Sequence, residues 1–276
     1  LVGVDRLLRA EVLRGAMPEL PEVETVRRVL QERYAGQTIT AVALGKPTFY
    51  RAPPLAAIKI LTGGVIAAFK RRGKYLIVVI ENRGEVIFHL GMSGRITVGG
   101  ESPHVRFQMW IGTEAVRFHD SRRFGRVGCP LPELGPEPMD AEFTSDYLWK
   151  ILRKRTAPVK ALIMDQKLIA GLGNIYATEA LHAAKVRPGR AGKSLSRIEV
   201  NKLTEACRDI LARGVQSGGA TLDDEAFLDP LGRPGRMQMG VMVYGREKCG
   251  SCAGAVIGTR KSIGGRASAY CPACQR

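Results

Sequence analysis

The sequence lacks long hydrophobic runs. Its densest apolar stretch extends only from Tyr75 to Ile80, whereas a helix that crosses a bilayer needs about 18 apolar residues or more. The first segment, 1–16, has no continuous apolar stretch of signal-peptide length, because charged residues such as Asp5 and Arg6 interrupt it. The sequence therefore indicates neither a membrane-spanning nor a secreted protein.

Acidic residues are also scarce. The chain has 26 Asp and Glu against 42 Lys and Arg, which gives a formal net charge of +16. Such an excess favours a polyanionic partner, because basic side chains that neutralise phosphates release the counterions bound there. Nucleic acid is the leading candidate for this partner. Charge alone leaves two alternatives open, which are a membrane surface and a generally basic soluble protein without such a partner.

Cysteines are too few and too clustered for a disulfide framework. Of the six, Cys129 and Cys207 stand alone, and the other four lie near the end of the chain. This usage is typical of a reducing cytosol. We therefore predict a cytoplasmic protein associated with the nucleoid, in which the two isolated cysteines are buried small side chains.

The four remaining cysteines form two CxxC pairs separated by 18 residues, in the pattern Cys249-x2-Cys252-x18-Cys271-x2-Cys274. Four thiolates on two tight turns can close a tetrahedral site with no open position, which is typical of one structural Zn²⁺; iron with the same ligands is the alternative. Between the pairs lie Arg260, Lys261 and Arg266. They form either a phosphate-binding hairpin or a solvated basic loop.

The length of 276 residues fits two compact domains, or one large domain with an appendage. A helix is predicted from Leu20 to about Tyr34, since Pro21 suits its first turn. Short β-rich runs with glycine turns between 65 and 127 predict an antiparallel sandwich or barrel. Prolines in 129–140 mark the domain boundary. Helical periodicity then predicts a mainly helical domain, with helices at 145–155, 158–167, 174–184 and 195–216.

The segment Met17-Pro18-Glu19-Leu20-Pro21-Glu22 places a proline after a potential initiator methionine. An amino-terminal Pro18 would offer a secondary amine as nucleophile, with Glu19 beside it as proton donor. Three further segments contain glycine: GLGNIY (171–176) is either a phosphate-binding helix start or a simple turn. HLGMSG (89–94) and DSRRFG (120–125) supply either core residues or a wedge that unstacks a duplex.

Eight ordered segments together resemble the formamidopyrimidine-DNA glycosylase family across residues 17–276. They are PELPEVETVRR, RRGKYL, HLGMSG, DSRRFG, LGPEP, GLGNIY, VYGR and the closing CxxC pairs. The resemblance implies an α+β fold that clamps DNA between two domains. It divides into an amino-terminal helix with an antiparallel β-sandwich at 17–135, a helical domain with a helix-two-turn-helix at 136–245, and a carboxy-terminal zinc finger at 246–276.

The resemblance also implies the activity and the site. The family excises oxidised purines from duplex DNA through a Schiff base on the amino-terminal proline and then cleaves the abasic site by β,δ-elimination. Pro18 matches the nucleophile, Glu19 the acid, Lys74 a residue acting at the phosphate and in elimination, and Arg266 the zinc-finger arginine. Glu22 is a supporting residue. The implied DNA contacts are Met92, His104, Arg122, Phe124, Arg155, Asn174 and Tyr176. Met92, Arg122 and Phe124 fill the space left by the flipped base.

The partner implied is damaged double-stranded DNA, bound by a monomer that needs no membrane and no small-molecule cofactor. The chain departs from the family in the sixteen residues ahead of Met17, because an acylated Pro18 has no lone pair for attack. We therefore expect 1–16 to be absent from the mature protein. His104 lies near, not at, the position of the family's DNA-contacting histidine, and Arg155 replaces a lysine. Asp223, Asp224 and Glu225 add negative charge to the loop 221–239, which resembles the family's cap over the flipped base.

Three other functions remain as alternatives. An endonuclease VIII-like glycosylase for oxidised pyrimidines shares the proline chemistry. A lesion-binding protein without catalysis would retain Pro18 within the chain; it predicts salt-sensitive binding, and about six phosphate contacts would give a log-log salt slope near −5. A zinc-ribbon protein that contacts RNA or another protein explains the cysteines but leaves PELPEVE and GLGNIY without a role.

Overall fold

The computed structural model describes residues 17–221, 227–259 and 262–276. The predicted extension 1–16, the acidic residues at 223–225, and Arg260 and Lys261 of the predicted hairpin lie outside the described residues. The described chain divides into two units. Residues 17–132 and 217–236 form the first, here called the β unit, and residues 133–216 and 237–276 form the second, here called the helical unit.

The β unit begins with helix α1 (Leu20–Tyr34), as the sequence predicts. Glu19 and Glu22 form a capping box at its start, with Pro21 in the first turn. Its buried face consists of residues three, four or seven apart along the helix, which places them on one side. They are Leu20, Val23, Val26, Leu30 and Tyr34.

Two antiparallel four-stranded sheets follow. Their strands lie in the orders β1-β6-β7-β5 and β2-β3-β4-β8, and a short helix α2 (Leu55–Leu61) follows β1. The strands are β1 (Ile39–Leu44), β2 (Ile66–Arg72), β3 (Tyr75–Ile80), β4 (Gly84–His89), β5 (Gly94–Val98), β6 (Val105–Ile111), β7 (Glu114–Asp120) and β8 (Arg126–Val127). Both sheets and α1 contribute side chains to one hydrophobic core, which confirms the predicted sandwich.

The helical unit contains four α-helices at the places where the sequence predicts helices. They are α3 (Ser145–Leu152), α4 (Val159–Met164), α5 (Asn174–Ala183) and α6 (Arg197–Gln216). The Thr144 hydroxyl caps α3 by accepting a hydrogen bond from Tyr147 N–H. Two short 3₁₀ turns (Gly192–Ser194 and Met237–Gly240) and the paired strands β9 (Ile257–Gly258) and β10 (Ala269–Tyr270) complete the unit.

The segments 217–221 and 227–236 group with the β unit. The resemblance implies a helical domain at 136–245, and this boundary stays a prediction. Phe227 is buried in the β-unit core, and Val98 N–H donates to Pro230 O. These contacts fix the segment 227–236 because they bury a large aromatic side chain and pair a strand-end amide.

Within the ranges that the structure covers, no helix combines the length and the apolar composition needed to cross a bilayer.

Candidate active site and metal centre

The segment predicted to carry the nucleophile lies at the start of α1. Pro18 and Glu19 are both buried. Glu22 connects two parts of the β unit, because one carboxylate oxygen accepts from Glu19 N–H (2.9 Å) and the other from Ala220 N–H (2.8 Å). Gly219 lies against the same carboxylate, where a Cβ atom would be 2.9 Å from its Oε1. Glu22 therefore anchors the segment 217–221 beside Glu19.

Lys74 lies in the two-residue turn between β2 and β3. Arg72 and Tyr75 pair across this hairpin, and Gly73 adopts a φ of 54°, which a two-residue hairpin turn favours. The turn is tied to α1 through Arg71, which donates to Gly73 O (3.0 Å) and to a carboxylate oxygen of Glu24 on α1 (3.1 Å). Lys74 is largely buried. The hairpin and its bonds to α1 thus fix the backbone position of Lys74.

A cavity of about 330 Å³ opens in the β unit. Its lining residues are Met17, Tyr50, Arg51, His89, Gly91, Met92, Arg123, Phe124, Gly125 and Arg126. None of these lining residues is acidic, and three of them are arginines. Met17 is bonded directly to Pro18, so the predicted nucleophile is the chain neighbour of a lining residue.

His89 on this wall is kept neutral. Burial, and then the positive charges of Lys74 and Arg126, lower the pKa of His89 to about 4. Its Nδ1 accepts a hydrogen bond from Gly91 N–H (3.2 Å). The basic lining therefore includes a histidine that acts as a hydrogen-bonding group and not as a cation at neutral pH.

The structure brings together HLGMSG and DSRRFG, which are distant in sequence. A Cβ on Gly91 would lie 2.7 Å from Gly125 N, so only glycine permits this approach of the two backbones. Asp120, which is fully buried, holds the second loop: it accepts from Ser93 Oγ (2.5 Å), Arg122 N–H (3.2 Å) and Gly125 N–H (2.6 Å).

Three predicted wedge residues lie in these two loops. Phe124 is 47% exposed, which is unusual for a large aromatic side chain in a tightly bonded loop. The Arg122 guanidinium lies 5.4 Å from the centre of the Phe124 ring, and Met92 lines the same cavity. The structure therefore groups Met92, Arg122 and Phe124 at one place on the β unit.

The other predicted DNA contacts differ in exposure. His104 and Arg155 are exposed, each with a local hydrogen bond: His104 Nδ1 lies 3.3 Å from Arg106 Nη2, and Arg155 Nη1 donates to Ile151 O. Tyr176, by contrast, is completely buried. The phosphate contact at Tyr176 stays a prediction.

Asn174 stands at the first turn of α5, next to Gly173, where amide groups at a helix start can bind an anion. Its side-chain oxygen accepts from the fully buried Lys160 amine (2.6 Å), which also donates to Ser268 Oγ (2.8 Å). Ser268 lies two residues from Arg266, whose backbone pairs with Ile263 across a turn at Gly264 and Gly265. Lys160 therefore links the helix start to the hairpin that carries Arg266.

The four paired cysteines converge in the helical unit. Their Sγ atoms all lie within 4.8 Å of one another. Cys249 and Cys274 are 3.9 Å apart, and Cys252 and Cys271 are 3.5 Å apart. A tetrahedron with metal–sulfur distances of about 2.3 Å has edges of about 3.8 Å. The four thiols thus fit a closed tetrahedral metal site.

Comparison with known proteins gives the family. The family model described as the N-terminal domain of formamidopyrimidine-DNA glycosylase matches residues 17–127, and the one described as its H2TH domain matches residues 134–226. A Xanthomonas campestris formamidopyrimidine-DNA glycosylase is 42% identical over 277 residues, covering 94% of this chain and 100% of the relative. A Thermus thermophilus relative of the same name is 40% identical, covering 94% and 98%. The chain belongs to the formamidopyrimidine-DNA glycosylase family.

Solved structures agree with this assignment. The MutM (Fpg) protein of Thermus thermophilus has a TM-score of 0.85 at 38% identity, covering 94% of this chain and 98% of that one. Lactococcus lactis Fpg in complex with DNA containing an abasic site has a TM-score of 0.85 at 32% identity, covering 94% and 100%. Membership of the formamidopyrimidine-DNA glycosylase family confirms the predicted α+β fold and disfavours the endonuclease VIII-like alternative.

Sequence reasoning missed two residues on α5 of this glycosylase. One binds the backbone that leads to the first CxxC pair, and the other contacts a cysteine of that pair. The buried Glu179 carboxylate accepts from three successive backbone amides, those of Met242 (2.6 Å), Val243 (3.0 Å) and Tyr244 (2.7 Å). The ring of His182, one turn further along α5, places Nε2 3.3 Å from Cys249 Sγ. No local sequence pattern predicts either contact, because the two residues in each contact are more than sixty positions apart in the chain.

Proposed function

We propose that this protein excises oxidised purines, such as 8-oxoguanine and formamidopyrimidines, from duplex DNA and then cleaves the resulting abasic site. The observation that carries the proposal is the start of α1, where Pro18 and Glu19 are held beside a basic cavity in a chain of the formamidopyrimidine-DNA glycosylase family. A Lactococcus lactis relative with DNA containing Fapy-dG supports this class of lesion.

In the proposed reaction, the Pro18 nitrogen forms a bond to C1′ of the damaged nucleotide. The bond from C1′ to the base breaks, and the base leaves with the electron pair and with the proton that the Pro18 nitrogen gives up. Glu19 protonates the sugar oxygen as the ring opens, which leaves an iminium on C1′. Loss of a C2′ proton then expels the 3′ phosphate, and a second elimination expels the 5′ phosphate. Water then hydrolyses the iminium, which releases the unsaturated sugar fragment as an aldehyde and restores the Pro18 amine. A one-nucleotide gap with phosphates at both ends remains.

This chemistry requires the lone pair of Pro18. A nitrogen bonded to the Met17 carbonyl is an amide and does not attack carbon, whereas a free secondary amine does. We therefore infer that the active form begins at Pro18. Since Met17 lies on the cavity wall, its removal would leave the new amine facing that space.

The remaining groups have supporting roles. Lys74 acts at the phosphate and in elimination, while Met92, Arg122 and Phe124 fill the space of the flipped base. His104, Arg155, Asn174 and Arg266 contact phosphates. Zn²⁺ is the ion that we assign to the four cysteines; when bound it supplies rigidity to the hairpin and no chemistry. We place the protein in the cytoplasm, where it acts on nucleoid DNA as a monomer without a small-molecule cofactor.

Borohydride trapping tests the nucleophile. Reduction converts an iminium into a stable amine, so a covalent complex forms only where the Schiff base exists. A duplex with one 8-oxoguanine is incubated with the full chain or with a form that begins at Pro18, and an undamaged duplex serves as the control. We expect trapping only with the Pro18 form and the damaged duplex. A matched duplex with thymine glycol measures the preference for purines.

The outcomes separate the alternatives. Trapping of the full chain would show that another amine attacks, and the proposal for Pro18 would be wrong. Binding of the damaged duplex by both forms without trapping would indicate a lesion-binding protein that has lost the chemistry. Faster trapping on thymine glycol than on 8-oxoguanine would contradict the proposed substrate class.

A further inference from the structure

An exposed aromatic side chain outside the predicted site lies against the DSRRFG loop (120–125), here called the wedge loop. Tyr50 is 67% exposed, and its ring centre is 5.8 Å from that of Phe124, with an angle of 37° between the two planes. Tyr50 follows β1 in the chain, so it belongs to a different segment from the HLGMSG and DSRRFG loops. Two large rings therefore project side by side from the β unit with much of their surface open to solvent.

The Tyr50 ring is held in place by the wedge loop. The backbone N–H of Tyr50 donates to Arg123 O (3.1 Å), and Arg123 Nε donates in return to Thr48 O (2.6 Å). The Arg123 guanidinium also lies over the Tyr50 ring, 4.5 Å from its centre. Arg123 itself has a φ of 62°, a left-handed conformation that is uncommon outside glycine. The position of Tyr50 is thus fixed by the loop that carries Phe124, and one ring face is occupied by a cation.

The surroundings favour a nucleic-acid occupant. Tyr50 and Phe124 line the cavity described above together with Met92, and the described lining contains arginines but no carboxylate. Exposed aromatic rings between basic side chains match DNA in two respects, since bases stack on the rings and phosphates pair with the cations. A rigidly held ring also loses little conformational freedom when it binds.

We propose that Tyr50 is a further DNA-binding residue, which stacks on an unpaired base next to the position that Phe124 fills. The inference rests on the proposed function, because it needs a duplex opened at a lesion. Tyr50 extends the wedge from one aromatic ring to two. Its contribution comes from the ring and not from the hydroxyl group.

Equilibrium binding to a duplex with a tetrahydrofuran abasic-site analogue tests the proposal with the full chain, since binding to this analogue needs no nucleophile. The variants are Tyr50→Ala, Tyr50→Leu and Tyr50→Phe, and Leu55→Ala is the control because Leu55 is similarly exposed (75%) but lies on α2. Loss of one base stack should weaken binding about tenfold in Tyr50→Ala and Tyr50→Leu. Tyr50→Phe and the control should bind within about twofold of wild type.

A second readout distinguishes stacking from phosphate binding. The slope of log Kd against log salt should be the same in Tyr50→Ala and wild type, because no cation is lost. A 2-aminopurine placed opposite the analogue should be quenched less on binding Tyr50→Ala than on binding wild type.

Each result bears on one claim. Wild-type protein that fails to bind the analogue duplex would overturn the proposed function itself. Wild-type binding with unchanged affinity and quenching in Tyr50→Ala and Tyr50→Leu would overturn only the inference about Tyr50. A loss in Tyr50→Phe as large as in Tyr50→Ala would show that the hydroxyl group, and not the ring, makes the contact.

Discussion

Asp120 provides the sharpest test of how the wedge is held. Its fully buried carboxylate accepts hydrogen bonds from Ser93 Oγ, from Arg122 N–H and from Gly125 N–H, so it bridges the two ends of the loop that presents Arg122 and Phe124. We consider two substitutions. Asp120→Asn keeps the shape but removes the charge, and Asp120→Ala removes all three acceptor contacts.

The geometry sets the order of the effects. In Asp120→Asn the oxygen can face Gly125 N–H while the new NH₂ group donates to the Ser93 hydroxyl, which still accepts from Arg122 N–H (3.1 Å). The bonds to Gly125 and Ser93 survive without their charge assistance, at a cost of about 1 kcal/mol each and about 2 kcal/mol in total. Asp120→Ala removes the acceptor of Gly125 N–H and of the Ser93 hydroxyl, while Arg122 N–H keeps Ser93 Oγ. At about 1–3 kcal/mol for each of the two groups, the total is about 2–6 kcal/mol.

Urea unfolding measures the loss of stability, and binding to the tetrahydrofuran duplex measures the effect on the wedge. We expect Asp120→Asn to bind slightly more weakly and Asp120→Ala at least tenfold more weakly than wild type. Asp140→Asn is the control, because the Asp140 carboxylate accepts from Glu137 N–H within the helical unit, whereas this loop belongs to the β unit. If Asp120→Ala unfolded within about 0.5 kcal/mol of wild type, the reasoning about buried acceptors would be refuted, since one hydrogen bond alone contributes about 1 kcal/mol.

Two other substitutions test the metal centre and a titrating group. His182→Phe removes the ring Nε2 that lies 3.3 Å from Cys249 Sγ, so a chelator should remove zinc about tenfold faster than from wild type or from the Thr178→Val control on the same helix; equal rates would contradict this. Burial lowers the pKa of His89 from 6.5 to about 4, so the unfolded chain binds the proton first as the pH falls. The free energy of unfolding should therefore decrease between pH 6.5 and about 4, and His89→Gln should weaken that dependence in urea titrations.

The elements that the sequence predicts well are those with a local pattern. Val23, Val26 and Leu30 repeat at helical spacing, so α1 and its buried face follow from the sequence alone. The two CxxC pairs are equally local, since each tight turn brings its two thiols together, and only the meeting of the pairs needs the fold. Short-range geometry, in both cases, is encoded within a few residues.

The contacts that position the site are long-range, and no local pattern contains them. Lys160 reaches Ser268, which is 108 residues away, and Glu22 reaches Ala220, which is 198 residues away. Exposure within a motif is equally hard to predict. Asn174 and Tyr176 share the GLGNIY segment, but Asn174 is partly exposed, whereas Tyr176 is buried because residues 175–182 are buried on every side of α5. Membership of a motif thus predicts the segment and not the exposure of each side chain.

In both units, buried polar groups stand directly behind the residues that we expect to contact DNA. Asp120 holds the wedge loop, and Lys160 joins Asn174 to the hairpin of Arg266. Burying such groups costs free energy unless their hydrogen bonds are complete, so their main effect is to select one arrangement of the loops. A substitution at Asp120 or Lys160 should therefore reduce activity without touching the reaction. Schiff-base trapping at saturating DNA distinguishes a loss of binding from a loss of reactivity. A displaced loop weakens binding, while the Pro18 amine still reacts with DNA that is bound.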